Sequence, residues 1–349
     1  MAADQNSNGN AEAQDIVAQV DTGARHATGV AGKVLFGVPL AWSLFQLWYA
    51  SPLPFLFGFG VFNDTEARSI HLAFAIFLAF TAFPALRRSP RDYVPVQDWV
   101  FALLGAFSAA YLFLFYSDLA GRSGAPTTFD LVVAVCGMLL LLEATRRALG
   151  PPLMIVALVF LTYTFGGQYM PDVIAHKGQS LQKVMSHQWL TTEGVFGIAL
   201  GVSTSFVFLF VLFGALLEKA GAGNYFIKVA FALLGHMKGG PAKAAVVASA
   251  TTGLISGSSI ANVATTGTFT IPLMKRVGFP GTKAGAVEVA GSTNGQLTPP
   301  VMGAAAFLMI EYVGISYLEV IKHAILPAII SYIALVYIVH LEALKANMS

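Results

Sequence analysis

The sequence of 349 residues is 56% hydrophobic and only 11% charged, with a mean hydropathy of +0.69. This composition excludes an ordinary soluble domain and is typical of a polytopic membrane protein. The net charge of +2 is too small to indicate a nucleic-acid partner. The positions of the basic residues are more informative, because they report membrane topology.

The N-terminal part of the chain predicts a tail followed by simple membrane spans. Residues 1–30 are polar and lack the basic and apolar regions of a cleaved signal, so we expect a disordered cytoplasmic tail. Six apolar runs follow, at 34–50, 69–86, 99–116, 129–142, 153–165 and 195–217. Two amphipathic stretches, 181–189 and 225–238, predict either membrane-surface helices or ordinary connecting helices.

Residues 244–274 form a stretch of 31 residues without a charge, bounded by Lys243 and Lys275. One helix across the bilayer needs roughly 20 residues and two need about 40, so this stretch predicts a hairpin that enters and leaves on one side. Its predicted tip is Ser256-Gly257-Ser258-Ser259. Since irregular backbone at membrane depth requires protein or a watery cavity around it, the tip predicts a binding site.

A second interruption lies within the apolar stretch 284–313. Pro299 and Pro300 cannot donate backbone hydrogen bonds, so this stretch predicts a broken helix, which is followed by a last span over 317–341. Hydroxyl groups and free carbonyls at such breaks can replace the water around Na+, and a half-helix N-terminus can hold a carboxylate. The candidate cation or substrate ligands are Ser256, Ser258, Ser259, Asn262, Thr265, Ser292, Thr293, Asn294 and Thr298. For any single Ser or Thr, the alternative is that a small residue lets helices pack closely.

Glu288 is the one carboxylate placed well inside this region, about 12 Å along the helix from Pro280. It is predicted either to carry a proton or cation, or to reach toward Lys283 or the cytoplasmic interface. Glu143 is instead expected to form an interfacial ion pair with the neighbouring arginines. The sequence contains no common hydrolase, metalloprotease or phosphate-binding motif, so we expect no enzyme activity, no cofactor and no metal other than Na+ at the candidate residues.

The basic residues favour a cytoplasmic N-terminus, because 15 of the 20 Lys and Arg residues then face the cytoplasm. The hairpin would then open from the cytoplasmic side.

Two segments resemble the tripartite ATP-independent periplasmic (TRAP) transporters. Ser256–Gly267 with Ile271–Gly278 resembles the first hairpin of the large permease subunit, and Gly291–Pro300 resembles its broken helix. The layout is similar to that of fused permeases that partner TAXI-type binding proteins. The resemblance implies a four-helix scaffold like the small (DctQ-like) subunit over 31–150 and a connecting helix with a periplasmic surface helix over 151–192. It implies the first repeat of the large (DctM-like) subunit over 193–349. This repeat would comprise a scaffold span, an arm helix, the hairpin over 241–276, the broken helix over 281–313 and a last span over 316–341.

The expected fold is an all-α polytopic membrane protein with about six simple spans, one re-entrant hairpin, one broken helix and a final span. The resemblance implies the first half of an inverted-repeat, elevator-type transporter in the bacterial inner membrane. It also implies uptake of organic anions, mainly carboxylates, coupled to Na+ or H+ and supplied by a periplasmic TAXI-type binding protein.

The large subunits of this family contain two such repeats, so this chain is expected to need a second-repeat partner. The alternative is a transport-inactive scaffold or assembly protein derived from such a permease.

Overall fold

A computed structural model describes residues 24–86 and 88–346, and this part of the chain is helical without any strand. The prediction of an all-α protein is therefore confirmed. The described residues form two compact units, 24–205 and 206–346. They are called here the N-terminal unit and the C-terminal unit. The N-terminal unit extends beyond the domain boundary expected at residue 150.

The N-terminal unit is built on the pair of helices α3 (Asp64–Ala82) and α4 (Val96–Leu114). Helix α6 (Thr128–Leu149) packs against both of them, and α1 (Gly29–Ala50) packs against α3. Capping boxes at Asn63 and Thr127 begin α3 and α6, because each side chain accepts a hydrogen bond from the backbone three residues on. The helices are α1 (Gly29–Ala50), α2 (Leu53–Phe57), α3 (Asp64–Ala82), α4 (Val96–Leu114), α5 (Tyr116–Gly121), α6 (Thr128–Leu149), α7 (Pro151–Gly166), α8 (Leu181–Trp189) and α9 (Ile198–Val202).

Helix α8 buries its apolar side against protein. Val184, Met185 and Trp189 lie in the same core cluster as residues of α6, and the indole N–H of Trp189 donates to the carbonyl oxygen of Ser108 at 3.0 Å. A side chain at Gly137 of α6 would collide with the Trp189 ring, so the glycine makes this contact feasible. The apolar face of α8 is therefore occupied by protein, and the position of this helix at a membrane surface stays a prediction.

One end of the N-terminal unit carries a cluster of buried charges. Arg25 forms an ion pair with Asp98, and both side chains are fully buried. Arg147 contacts the other oxygen of Asp98 at 2.8 Å and also contacts Glu143, as does Arg146. The ion pair expected for Glu143 is therefore confirmed. The disordered tail was expected to end at residue 30, but Arg25 is ion-paired with Asp98 and α1 begins at Gly29, so the ordered chain begins earlier. Residues 1–23 of the expected tail lie outside the described residues.

The C-terminal unit contains the predicted hairpin and broken helix as local structures. Its helices are α10 (Phe208–Lys219), α11 (Ala222–Leu234), α12 (Gly240–Ser256), α13 (Ser259–Arg276), α14 (Gly281–Asn294), α15 (Ala304–Met309) and α16 (Tyr317–Lys345). Helices α12 and α13 are joined only by Gly257 and Ser258. After α14, a single 3-10 turn and a cis Pro299-Pro300 peptide bond precede α15.

Six helices in the described ranges are long and apolar enough to cross a membrane. They are Gly29–Ala50, Val96–Leu114, Thr128–Leu149, Pro151–Tyr169, Ile198–Lys219 and Tyr317–Lys345. This finding agrees with a multi-pass membrane protein. Helix α3, which overlaps the predicted span 69–86, is not among them. It begins at Asp64 with three charged residues in its first five and ends at Ala82, four residues before the predicted end.

Candidate functional site

The tip of the α12–α13 hairpin lies against the break that follows α14. Gly257 has a φ of 53°, and a side chain there would collide with the carbonyl oxygen of Met302. Only glycine suits both conditions. The side-chain amide of Gln296 donates a hydrogen bond of 2.9 Å to the hydroxyl of Ser259. The two features singled out from the sequence therefore meet in the folded chain.

Glycines bring α12 and α14 into close contact below the tip. A Cβ at Gly253 would lie 2.7 Å from the Cα of Gly295, and one at Gly291 would lie 3.3 Å from the Cβ of Ser249. Small residues thus allow close helix packing here. The same closeness brings polar side chains from different helices within hydrogen-bonding distance, so packing and polar contacts coexist at one place.

Glu288 is buried among hydroxyl groups from three helices. Its side chain accepts hydrogen bonds from Ser249 and Ser292, each at 3.2 Å, and from Thr266 and Thr270. We call these five residues the Glu288 cluster. Lys283 forms its ion pair with Glu342 instead. The expectation that Glu288 reaches toward Lys283 is therefore wrong, because the carboxylate points into the contact between α12, α13 and α14.

Two buried oxygen atoms near this cluster lack a hydrogen-bond partner among the residues that the structure describes. They are Oδ1 of Asn262 and Oγ1 of Thr252. The side-chain nitrogen of Asn262 does have a partner, since it donates to the carbonyl oxygen of Ser249 at 2.9 Å. Buried oxygens of this kind are unusual, and a water molecule or an ion normally satisfies them.

Thr298 connects the break to the last helix. Its hydroxyl donates to the carbonyl oxygen of Asn294 at 2.9 Å and lies 3.2 Å from the hydroxyl of Tyr332. The Tyr332 hydroxyl in turn lies 3.3 Å from the carbonyl oxygen of Gly291. The candidates Asn294 and Thr298 therefore lie together, with the main chain of Asn294 contributing the contact.

Other candidate residues lie apart from these contacts. Thr265 bonds back to its own helix and faces Gly223 of α11, and exposed Thr293 bonds back to Val289. Ser258 accepts from the backbone N–H of Ala261 and caps α13. Ser256 is half-buried at the end of α12.

The sequence analysis missed Ser249, Thr266 and Thr270 as partners of Glu288. A signal for two of them was present, because Asn262, Thr266 and Thr270 recur every four residues and therefore share one face of α13. Glu288 and Ser292 show the same spacing on α14. Ser249 offers no such signal, since its proximity depends on how closely α12 approaches.

Comparison with known proteins identifies the family. The family model described as "Tripartite ATP-independent periplasmic transporter, DctM component" matches residues 136–349, more than half of the chain. The chain belongs to the DctM family. The match begins within α6 and contains the hairpin, the break and the Glu288 cluster. Together with six apolar helices, it makes the chain a multi-pass membrane protein of a transporter permease family rather than of an enzyme family.

Curated relatives match shorter parts of the chain. The C4-dicarboxylate TRAP transporter large permease protein DctM of Pseudomonas aeruginosa is 38% identical over 91 residues, which are 26% of this chain and 21% of that protein. An uncharacterized protein of Sinorhizobium fredii is 29% identical over 129 residues, 37% of this chain and 30% of that protein. A putative TRAP transporter large permease protein of Haemophilus influenzae is 26% identical over 140 residues, which are 40% of this chain and 32% of that protein. The chain thus spans between about a fifth and a third of these relatives.

Proposed function

We propose that this chain is a component of a cation-coupled permease that takes up organic anions, chiefly carboxylates, across the bacterial inner membrane. The observation that carries the proposal is the contact between the hairpin tip and the break, where Gln296 bonds Ser259. In secondary transporters, binding sites typically form where non-helical backbone of two interrupted helices comes together with polar side chains. Two relatives named as C4-dicarboxylate permeases support the substrate class.

The hairpin tip has the chemistry to hold a carboxylate. The hydroxyl of Ser259 accepts a hydrogen bond from Gln296, so its own proton remains available to a substrate oxygen. Ser259 also begins α13, an 18-residue helix whose first backbone N–H groups and dipole favour an anion. A carboxylate could therefore bind there without a buried arginine.

The coupling cation would bind close to the break. Oδ1 of Asn262 and Oγ1 of Thr252 are buried oxygens without a partner in the described part of the chain, and hard cations such as Na+ take oxygen ligands. Asn294 and Thr298 lie at the end of α14 and are further candidates. Both Na+ and H+ are compatible with this arrangement.

The proposal extends to the partners and the topology. We assign residues 31–150 to a scaffold like the small permease subunit, with the N-terminus in the cytoplasm. A periplasmic TAXI-type binding protein would deliver the substrate, and a second permease repeat would complete the transport domain of an elevator-type carrier. The basic-residue distribution supports this orientation.

Uptake measurements in proteoliposomes test the proposal. The chain is reconstituted with a binding protein and a second-repeat chain, and uptake of labelled C4-dicarboxylates is followed under a Na+ or a pH gradient. We expect uptake that depends on one of the two gradients. Asn294→Ala or Thr298→Ala should lower the uptake by more than it lowers the amount of protein expressed. Thr268→Ala, which removes an exposed hydroxyl on α13, is the matched control and should retain uptake.

Absence of gradient-dependent uptake with every partner would contradict the proposal and favour a transport-inactive scaffold. Equal activity of Thr298→Ala at all cation concentrations would reject the assignment of that residue.

A further inference from the structure

We propose that the Glu288 cluster binds and releases a proton, so that H+ rather than a metal cation occupies this part of the permease. The inference deepens the proposed function, and its meaning for transport rests on that function. The binding of the proton is a separate property of the chain and can be tested without transport. Three structural observations support it: the choice of partners available to the hydroxyls, the absence of a counter-charge in the described part, and the hydrogen bonds already present in the cluster.

The hydroxyl groups can satisfy Glu288 in both of its protonation states. Thr266 lies 2.8 Å from the carbonyl oxygen of Asn262 as well as against the carboxyl group, and Thr270 lies 3.0 Å from the carbonyl oxygen of Thr266. Each hydroxyl has one proton, so it donates either to the carboxyl group or to the main chain.

In the charged state, all four hydroxyls donate to the two carboxylate oxygens. In the neutral state, the carboxyl O–H donates to the oxygen of Thr270, whose own proton turns to the carbonyl oxygen of Thr266. Ser249 and Ser292 continue to donate to the other carboxyl oxygen. Only hydrogen atoms rotate between the two states, and no heavy atom is left unsatisfied. A buried carboxyl group therefore has a complete set of hydrogen bonds with or without its proton.

Within residues 206–346, no positively charged side chain forms an ion pair with Glu288. The other charged or titratable side chains on α14 and on the helices packed against it are Lys243 on α12, Lys275 and Arg276 on α13, Lys283 on α14, and Tyr317, Glu319, Lys322, His323, Tyr332, Tyr337, His340, Glu342 and Lys345 on α16. None of these is hydrogen-bonded or ion-paired to Glu288 within residues 206–346. An uncompensated buried charge is costly, and no ion pair in this range offsets the charge of the Glu288 carboxylate.

A metal cation between the oxygens of the cluster would have to replace the hydrogen bonds that are present there. The hydroxyl oxygens contact the carboxyl oxygens directly, at 3.2 Å for Ser249 and Ser292, and Thr266 and Thr270 also contact them. A Cβ at Gly267 would lie 3.2 Å from Cγ of Glu288, so the backbone of α13 closes one side. A metal ion would require the hydroxyl groups to turn their protons away from the carboxylate, whereas an added proton joins the existing hydrogen bonds.

Infrared difference spectroscopy of the full 349-residue chain in liposomes provides the test. Spectra recorded at low and high pH, with isotope-labelled glutamate, report the carbonyl band of a protonated glutamic acid. We expect a pH-dependent band that is lost in Glu288→Gln. Glu218→Gln, at an exposed position of α10, is the matched control and should keep the band. Replacing Na+ by choline should leave the band unchanged.

Thr270→Val provides a second variant that keeps the carboxyl group. Loss of one hydrogen bond should move the Glu288 band to higher frequency without abolishing it. An unchanged set of bands in both Glu288→Gln and Thr270→Val, or removal of the band by Na+ at constant pH, would overturn the proton site. Failure of proteoliposome uptake with the band retained would instead reject the proposed transport function alone.

Discussion

The two units of the protein bury carboxylates in opposite ways. In the N-terminal unit, Asp98 is bound by Arg25 and Arg147, and Asp130 is bound by Arg122. In the C-terminal unit, Glu288 is bound only by hydroxyl groups within residues 206–346. An ion pair loses a stabilising charge whenever either partner is neutralised, whereas a hydroxyl cluster adjusts by rotating hydrogen atoms. The first arrangement is suited to holding helix ends together, and the second to a change of charge.

Matched amide substitutions in the two units should produce the largest contrast. Asp98→Asn leaves buried guanidinium groups without their carboxylate, so we expect a loss of about 3–5 kcal/mol in unfolding free energy. Glu288→Gln keeps the side-chain shape and still exchanges hydrogen bonds with the hydroxyls, so its loss should be much smaller. Unfolding in mixed micelles measures both. Asp118→Asn, at an exposed position, controls for the substitution itself. Equal losses for the two buried positions would remove the distinction between the units.

Close glycine packing in the C-terminal unit should give the next largest effect. Gly253→Ala places a methyl group against the backbone of Gly295, which cannot rotate away, so we expect a loss of about 1–3 kcal/mol from overpacking. Gly285→Ala in α14 has open space around the new methyl group and should instead stabilise the helix by about 0.5–1 kcal/mol. Thermal unfolding of the two variants measures the difference. A stable Gly253→Ala variant would show that α12 and α14 can separate without cost.

The sequence was sufficient to predict the main architecture of the C-terminal unit. The uncharged stretch between Lys243 and Lys275 is too long for one helix, and its Gly/Ser tip marks the turn between α12 and α13. The double proline likewise marks the end of α14, since proline cannot continue a helix. These predictions are confirmed because they depend only on the residues next to each turn or break in the sequence. The re-entry of the hairpin into a membrane remains a prediction.

The partners of each polar residue were harder to predict, because they depend on the rotation of each helix. Thr265 and Thr266 are adjacent in the sequence, but only Thr266 faces Glu288, while Thr265 faces α11. Composition alone does not distinguish them; the four-residue spacing from Asn262 to Thr270 does. The contact of Arg25 with Asp98 joins residues 73 positions apart and has no local signal. Long-range contacts of this kind become visible only in the folded chain.

The connection between the break and α16 should have a moderate effect. Thr298→Val removes the hydroxyl that joins Asn294 to Tyr332, so we expect a loss of about 1 kcal/mol in unfolding free energy. Thr268→Val removes an exposed hydroxyl from α13 and should change stability less. Denaturant unfolding of both variants tests the difference, and an equal response would mean that the Thr298 hydroxyl adds no stability at the break.

The exposed ion pair between Lys283 and Glu342 should have the smallest effect and completes the comparison between the units. Both side chains are substantially exposed, at 47% and 37%, so water already solvates the charges and salt screens their attraction. Lys283→Gln should therefore lower the unfolding temperature slightly at low ionic strength, and the difference should disappear at high ionic strength. The loss caused by Asp98→Asn should persist in high salt, because Asp98 is fully buried and ions cannot screen it. Unfolding of both variants across a salt series tests this. If the Asp98→Asn loss also disappeared in high salt, the charge cluster of the N-terminal unit would have to be open to solvent.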